Sequence, residues 1–94
     1  MSTPINDPEK AAKVFADDRA NVFHSWSAQA QISPMAIASG AGSYFWDFTG
    51  KKYLDFSSQL VFTNIGHQHP KVVTAIKEQA DVLTTIAPQH ANEA

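Results

Sequence analysis

Cysteine is absent from the 94 residues, which removes disulfides, thiol catalysis and any cysteine-based zinc site. Charge is scarce, at 17% of residues, and has no basic excess: seven Lys and Arg stand against nine Asp and Glu, for a formal charge of −2. Too few cations are available to neutralise many phosphates, so nucleic acid is not an expected partner. No apolar run approaches the ~18 residues of a membrane span, and no membrane partner is expected. The stretch Met1 to Lys13 mixes Pro, Asn, Asp, Glu and Lys and lacks the apolar centre of a signal peptide, which makes the cytoplasm the default location. What is present is a 44% hydrophobic content, too apolar for a disordered tail and enough for one small domain at most. A chain this short buries only roughly 60–65% of its unfolded surface and needs a well-built core or a partner. It also stops at His90-Ala-Asn-Glu-Ala94 without a turn or capping signal. That reads as a piece of something larger.

Residues 1–7 are polar and read as loose. Asp7 before Pro8 sets a helix start, a side-chain acceptor at the N-cap and then proline at the first helical position. Ala11, Val14 and Phe15 keep helical spacing, and the late acids Asp17 and Asp18 oppose the helix dipole, which predicts an end near residue 19. Residues 23–33 read as irregular. Met35, Ile37 and Ser39 offer a brief alternation, and Gly40-Ala41-Gly42 reads as a turn. The aromatic run Tyr44 to Phe48, turn chemistry at Asp47 to Gly50, and Lys52 to Phe56 predict a β-hairpin with a loop of four residues or more. Leu60-Val61-Phe62 resumes an apolar run, and Asn64-Ile65-Gly66-His67 is a second turn signal. Pro70 opens a second helix whose apolar residues Val72 or Val73, Ile76, Ala80 and Leu83 keep a helical period. The elements make an α+β piece with an aromatic hairpin at its centre.

Catalytic chemistry is hard to find in these residues. His67 and His69 form an H-x-H pair that could begin a metal site, with His24 or His90 as a third ligand; the plainer reading is that His67 closes a turn and His69 caps the second helix. Gly40 and Gly42 lack the third glycine and the following helix of a dinucleotide fingerprint. Phosphate-loop, nucleophile-elbow and zinc-protease motifs are missing. Turn formation accounts for Asp47, while Asp55 flanks the hairpin without an assigned role. Trp26, in the non-periodic His24-Ser25-Trp26-Ser27, is an aromatic that core packing does not automatically explain. No metal-binding, cofactor-binding or catalytic residue is assigned. The alternative to an enzyme is a non-catalytic α+β interaction module.

Three segments nevertheless carry a family likeness. Gly42-Ser-Tyr-Phe-Trp-Asp-Phe-Thr-Gly-Lys-Lys-Tyr-Leu-Asp-Phe56 resembles G-x-Y-x-W-D-x-x-G-x-x-Y-L-D, Asn64-Ile-Gly-His-Gln-His-Pro70 resembles N-x-G-H-x-H-P, and Lys71 to Gln79 is similar to K-V-V-x-A-I-x-x-Q. His24 to Ser27 resembles an upstream H-x-[WFY]-[ST] element. In this order they resemble the N-terminal part of the class III aminotransferases, pyridoxal-phosphate enzymes of fold type I (α/β). The Ser57 to Val61 stretch looks most like the ω-amino-acid, taurine–pyruvate type.

The resemblance implies a division at residue 38. Residues 1–38 would form an N-terminal helix and a segment covering the active site. Residues 39–94 would form the hairpin and helix of the small domain, leading into a large pyridoxal-phosphate domain that lies downstream of this chain. It implies transfer of an amino group from an ω-amino acid or amine to a keto acid such as pyruvate, and a homodimer when full length. Trp26, Leu60 and Val61 would line the substrate pocket. Val61 falls where members often carry a bulky aromatic, which would open the pocket. The Schiff-base lysine lies far downstream in the family, and none of Lys10, Lys13, Lys51, Lys52, Lys71 and Lys77 sits in a matching context, so the 94 residues alone are expected to be inactive. The hairpin aromatics and the apolar stripe of the second helix are expected to need cover, leaving the isolated chain unstable or self-associated.

Overall fold

The computed structural model describes residues 5–93; residues 1–4, part of the stretch expected to be loose, lie outside it. Helix α1 spans Pro8–Asn21. The Asp7 carboxylate accepts the Lys10 backbone N–H at 3.0 Å, so the expected N-cap forms. Residues 5–7 are not loose. The Asp7 N–H donates to the Phe48 carbonyl, the Lys10 ammonium stands 5.8 Å from the Phe48 ring centroid, and Ile5 runs beside Gly50. The helix also passes residue 19, because the opposing acids find partners locally. Lys13 pairs with Asp17 one turn away, and His24 Nε2 lies 2.7 Å from an Asp18 carboxylate oxygen.

Strands β1 (Ile37–Ala41), β2 (Tyr44–Asp47) and β3 (Lys52–Leu54) form an antiparallel sheet in that order. The expected hairpin is β2–β3, with Phe45 opposite Tyr53 and Trp46 opposite Lys52. The Phe45 and Tyr53 rings stack at 5.2 Å. Phe56, expected in the returning strand, lies beyond it and is exposed. The sheet also has a strand where the sequence suggested a turn. Gly40 and Ala41 belong to β1, paired with Phe45 and Tyr44, and the turn is the two-residue Gly42-Ser43. Gly42 has φ +58, and a glycine at the first position of a two-residue loop suits the right-handed twist of the strands it joins. Gly40 is needed in the strand for another reason: a Cβ there would lie 3.0 Å from the His67 ring.

After β3 the chain makes one turn of left-handed helix, α2 (Ser58–Val61), with φ of 51, 52, 61 and 63° in succession. For L-residues this costs about 1–2 kcal/mol each, and a β-branched residue such as Val61 is a marked outlier. A turn forms at Thr63 to Gly66, one residue ahead of the expected Asn64 to His67, because His67 pairs with Gly42. Helix α3 spans Pro70–Ala80, capped by His69, whose Nδ1 accepts the Lys71 N–H at 3.3 Å. It ends before Leu83, where the Asp81, Val82 and Leu83 N–H groups turn back on the Glu78 and Gln79 carbonyls and the Gln79 amide donates to the Leu83 carbonyl at 2.9 Å.

Trp46 and Phe48, from the hairpin and its loop, are the buried hydrophobic side chains among the described residues. The Cα radius of gyration is 16.3 Å, against about 12 Å for a compact chain of this length. The accessible surface is 7635 Å², against about 5400 Å² for a compact monomer of this mass. Among the described residues no helix is long and apolar enough to cross a membrane.

Candidate functional site

The three residues expected at a substrate pocket sit on unusual backbone. Trp26 has φ 59 in the loop after α1, and its neighbourhood is organised by Gln29. The Gln29 side chain accepts the His24 N–H at 2.9 Å and donates to the Ser27 carbonyl at 2.9 Å. Leu60 and Val61 occupy the left-handed turn α2. All three side chains face solvent, at 92, 69 and 81% exposure, and are not walls of a closed cavity within this chain. Side chains this apolar and this open on strained backbone mark surfaces to be covered.

Beneath the left-handed turn lies a polar constellation that the sequence did not single out. The Asp55 Oδ2 lies 2.6 Å from His67 Nε2 and accepts from the Gln59 side-chain amide at 3.1 Å. Burial opposes ionisation of Asp55, yet the Gln59 amide and the His67 ring together hold its carboxyl below the usual range. The backbone of His67 exchanges two hydrogen bonds with Gly42, at 3.0 and 2.8 Å. Its ring packs on Gly40 and meets Phe45 edge-on at 6.5 Å. A cleft of about 420 Å³ beside this cluster is lined by Met35, Ile37, Phe45, Gln59 and His67. The signal for the pair was present in Y-L-D and G-H-x-H-P. Twelve residues separate Asp55 from His67, and nothing local joins them.

His67 and His69 do not act as one unit. Gln68 between them takes φ 58, which breaks strand alternation; one ring turns to Asp55 and the other caps α3. His24 is engaged with Asp18. Among the described residues no three His, Cys, Asp or Glu side chains gather into a metal-holding group.

Asp47 does the turn work expected of it and more. Its Oδ1 accepts from the Thr49 hydroxyl at 2.7 Å, the Thr49 N–H at 2.9 Å and the Lys51 N–H at 3.1 Å, and its Oδ2 accepts from the Tyr53 hydroxyl at 2.9 Å. These bonds, that from Thr49 foremost, lower its carboxyl to about 2, while the same carboxylate raises the Tyr53 phenol. All six lysines are exposed. Several cover aromatic rings: Lys52 stands 3.9 Å from the Tyr44 centroid and Lys51 5.1 Å from that of Tyr53.

The sequence profile of the class-III aminotransferases matches residues 26–94. An acetylornithine aminotransferase of Methanocaldococcus jannaschii is 50% identical over 50 residues, which are 53% of this chain and 13% of that protein. The mitochondrial ornithine aminotransferase of Rattus norvegicus is 45% identical over 51 residues, 54% of this chain and 12% of that protein. Among solved structures, taurine:2-oxoglutarate aminotransferase from Bifidobacterium kashiwanohense, in complex with PLP and glutamate, matches with a TM-score of 0.77 at 42% identity. That match covers 88% of this chain and 18% of the other. An S-selective transaminase from Arthrobacter sp. with alanine bound gives a TM-score of 0.72 at 32% identity, over 87% of this chain and 18% of that one.

The fold and these matches define an α+β segment of a fold-type-I pyridoxal-phosphate transferase. The chain belongs to the class III aminotransferases, and it spans less than a fifth of the length of the relatives it matches.

Proposed function

We propose that this chain is the substrate-shaping N-terminal part of a transaminase that moves an amino group from an ω-amino acid or amine to a keto acid such as pyruvate. The likeness to taurine:2-oxoglutarate aminotransferase, 42% identical over 88% of this chain, is the observation that carries it. Residues 1–38 serve as the helix and covering segment, and residues 39–94 as the entry to the small domain. The downstream domain holds pyridoxal phosphate, which supplies the electron sink for amino transfer. The residues present do not fit its covalent attachment. A Schiff-base lysine needs a desolvated amine, and every lysine here is exposed. The 94 residues alone are therefore inactive. The whole protein works as a homodimer in the cytoplasm, an arrangement that the family resemblance supports.

Within that reading Trp26, Leu60 and Val61 line the substrate pocket and select the donor by shape. Their exposure in this chain supports a role facing something outside it. Val61 in particular is no core residue here, so enlarging it need not overpack the chain. In the full-length protein, Val61→Trp is expected to narrow the range of accepted donors, with discrimination between small and bulky amines shifting by about 1–3 kcal/mol. The check is kcat/KM for a small and a bulky amine, each with pyruvate and with 2-oxoglutarate as acceptor, alongside the melting temperature and the isolated 94 residues as control. Unchanged donor preference with a large fall in melting temperature would show Val61 to be packing. Transfer to 2-oxoglutarate alone would replace pyruvate as acceptor.

A further inference from the structure

Three parts of the fold converge on the Asp55 carboxylate. From β1 and the turn that follows it, Gly40 and Gly42 fix His67, by ring packing on the first and paired backbone hydrogen bonds with the second. From the loop before α3, that His67 ring reaches Asp55 Oδ2 at 2.6 Å. From α2, the Gln59 amide reaches the same oxygen at 3.1 Å. The Asp55 side chain is 4% exposed, and its other oxygen is buried without a hydrogen-bond partner. A carboxylate so enclosed cannot swing to another rotamer without losing its donors, and it leaves an acceptor unsatisfied where it stands.

The turn it reaches cannot be held by local preference. Four consecutive L-residues, Ser58 to Val61, stand in the left-handed region, where each Cβ crowds the following carbonyl oxygen. Backbone bonds from Val61 to Ser57 and from Thr63 to Ser58 close the turn on itself. The Gln59–Asp55 bond ties it by a side chain to the residue that follows β3, whose own N–H donates to the Ser43 carbonyl.

We propose that Asp55, backed by His67, is a positioning residue for donor selection: it holds α2 in its left-handed form and so aims Leu60 and Val61 at the substrate. This rests on the reading of Leu60 and Val61 as pocket residues. When Asp55 lets go, the turn relaxes toward right-handed or extended backbone, and both side chains point elsewhere. The histidine acts as a strut, since Gly40 of β1 and Gly42 of the β1–β2 turn fix its ring and backbone independently of α2.

The test uses the full-length transaminase with Asp55→Ala, Gln59→Ala and Val61→Trp, each assayed with a small and a bulky amino donor, with cofactor absorbance and melting temperature recorded. Asp55→Ala and Gln59→Ala are expected to change the ratio of the two kcat/KM values by at least about five-fold in the same direction, with cofactor absorbance retained. Adding Ser58→Gly to Gln59→Ala is expected to restore part of the ratio, because glycine occupies left-handed backbone without steric cost. A purely structural Asp55 would lower the melting temperature and leave the ratio alone. If the ratio moves with Val61→Trp but not with the other two, the positioning role is overturned and the pocket stands. If it moves with none of the three, the pocket reading falls and this one with it. Should Asp55→Ala fail to fold, Gln59→Ala decides alone, its side chain being exposed.

Discussion

The hairpin and helix α3 are built from similarly apolar sequence and end in opposite states. Around β2 and β3, Trp46 and Phe48 are buried, Phe45 stacks on Tyr53, and the Asp47 carboxylate satisfies the loop that joins the strands. On α3, Val72 and Ile76 keep the apolar stripe, with Leu83 just beyond the helix end, and all three remain exposed. The hairpin finds partners in β1 and its own loop, and Phe48 also takes the Asp7 N–H and the Lys10 ammonium from the start of the first helix. The helix stripe has no such partner among the described residues, and a surface about 40% larger than a compact monomer's leaves it open. One region is packed by its own neighbours; the other is left uncovered among the described residues.

The contrast is sharpest in a pair of truncations. Trp46→Ala is expected to cost about 3–5 kcal/mol in the whole protein and to abolish any cooperative transition the chain alone retains, because its packing is internal. Ile76→Ala is expected to stay within about 0.5 kcal/mol on the chain alone. In the whole protein, where the stripe is covered, it is expected to rise to about 2–5 kcal/mol. Denaturant midpoints in the two contexts check this, and a small Ile76 cost in both would break the distinction.

A smaller effect tests how closely the loop before α3 is seated on the sheet. Gly40→Ala places a methyl group 3.0 Å from the His67 ring and is expected to destabilise by about 1–3 kcal/mol. Combining it with His67→Ala is expected to recover most of the clash. Strictly additive losses would mean that the ring does not rest on Gly40.

The smallest expected effect is the pH response of the hairpin loop. Asp47 titrates at about 2 in the folded chain, below the ordinary 3.8. A depressed carboxyl contributes stability that is complete above its unfolded value and is lost as pH falls through the folded one. Melting temperature is therefore expected to decline between about pH 4 and pH 2, and Asp47→Asn is expected to flatten that part of the profile. An identical acid limb in the variant would move the effect to another carboxylate.

Much of the fold was legible because its signals are local. Asp7-Pro8 and His69-Pro70 each place an acceptor beside a residue that cannot donate, and both helix starts formed there. The aromatic alternation with Asp47 and Gly50 set the hairpin. Gly40-Ala41-Gly42 misled because two glycines suggest a turn, whereas Gly40 is a strand residue made small by a histidine 27 positions later. Helix α1 runs past residue 19 because Lys13 and His24, the partners of Asp17 and Asp18, reach them only once the chain folds.

Sequence by itself determined the helix caps, the hairpin, the lack of a Schiff-base lysine context and, through three ordered motifs, the family. These depend on neighbours within a few residues or on the identity of a residue. Only the tertiary structure decided that β1 joins the sheet, that Asp55 and His67 meet, and that Ser58 to Val61 wind left-handed. Each of those depends on contacts between segments whose approach is set by the packing of the sheet. Burial turns such an approach into a hydrogen bond that cannot be given up, and no spacing within the chain encodes it.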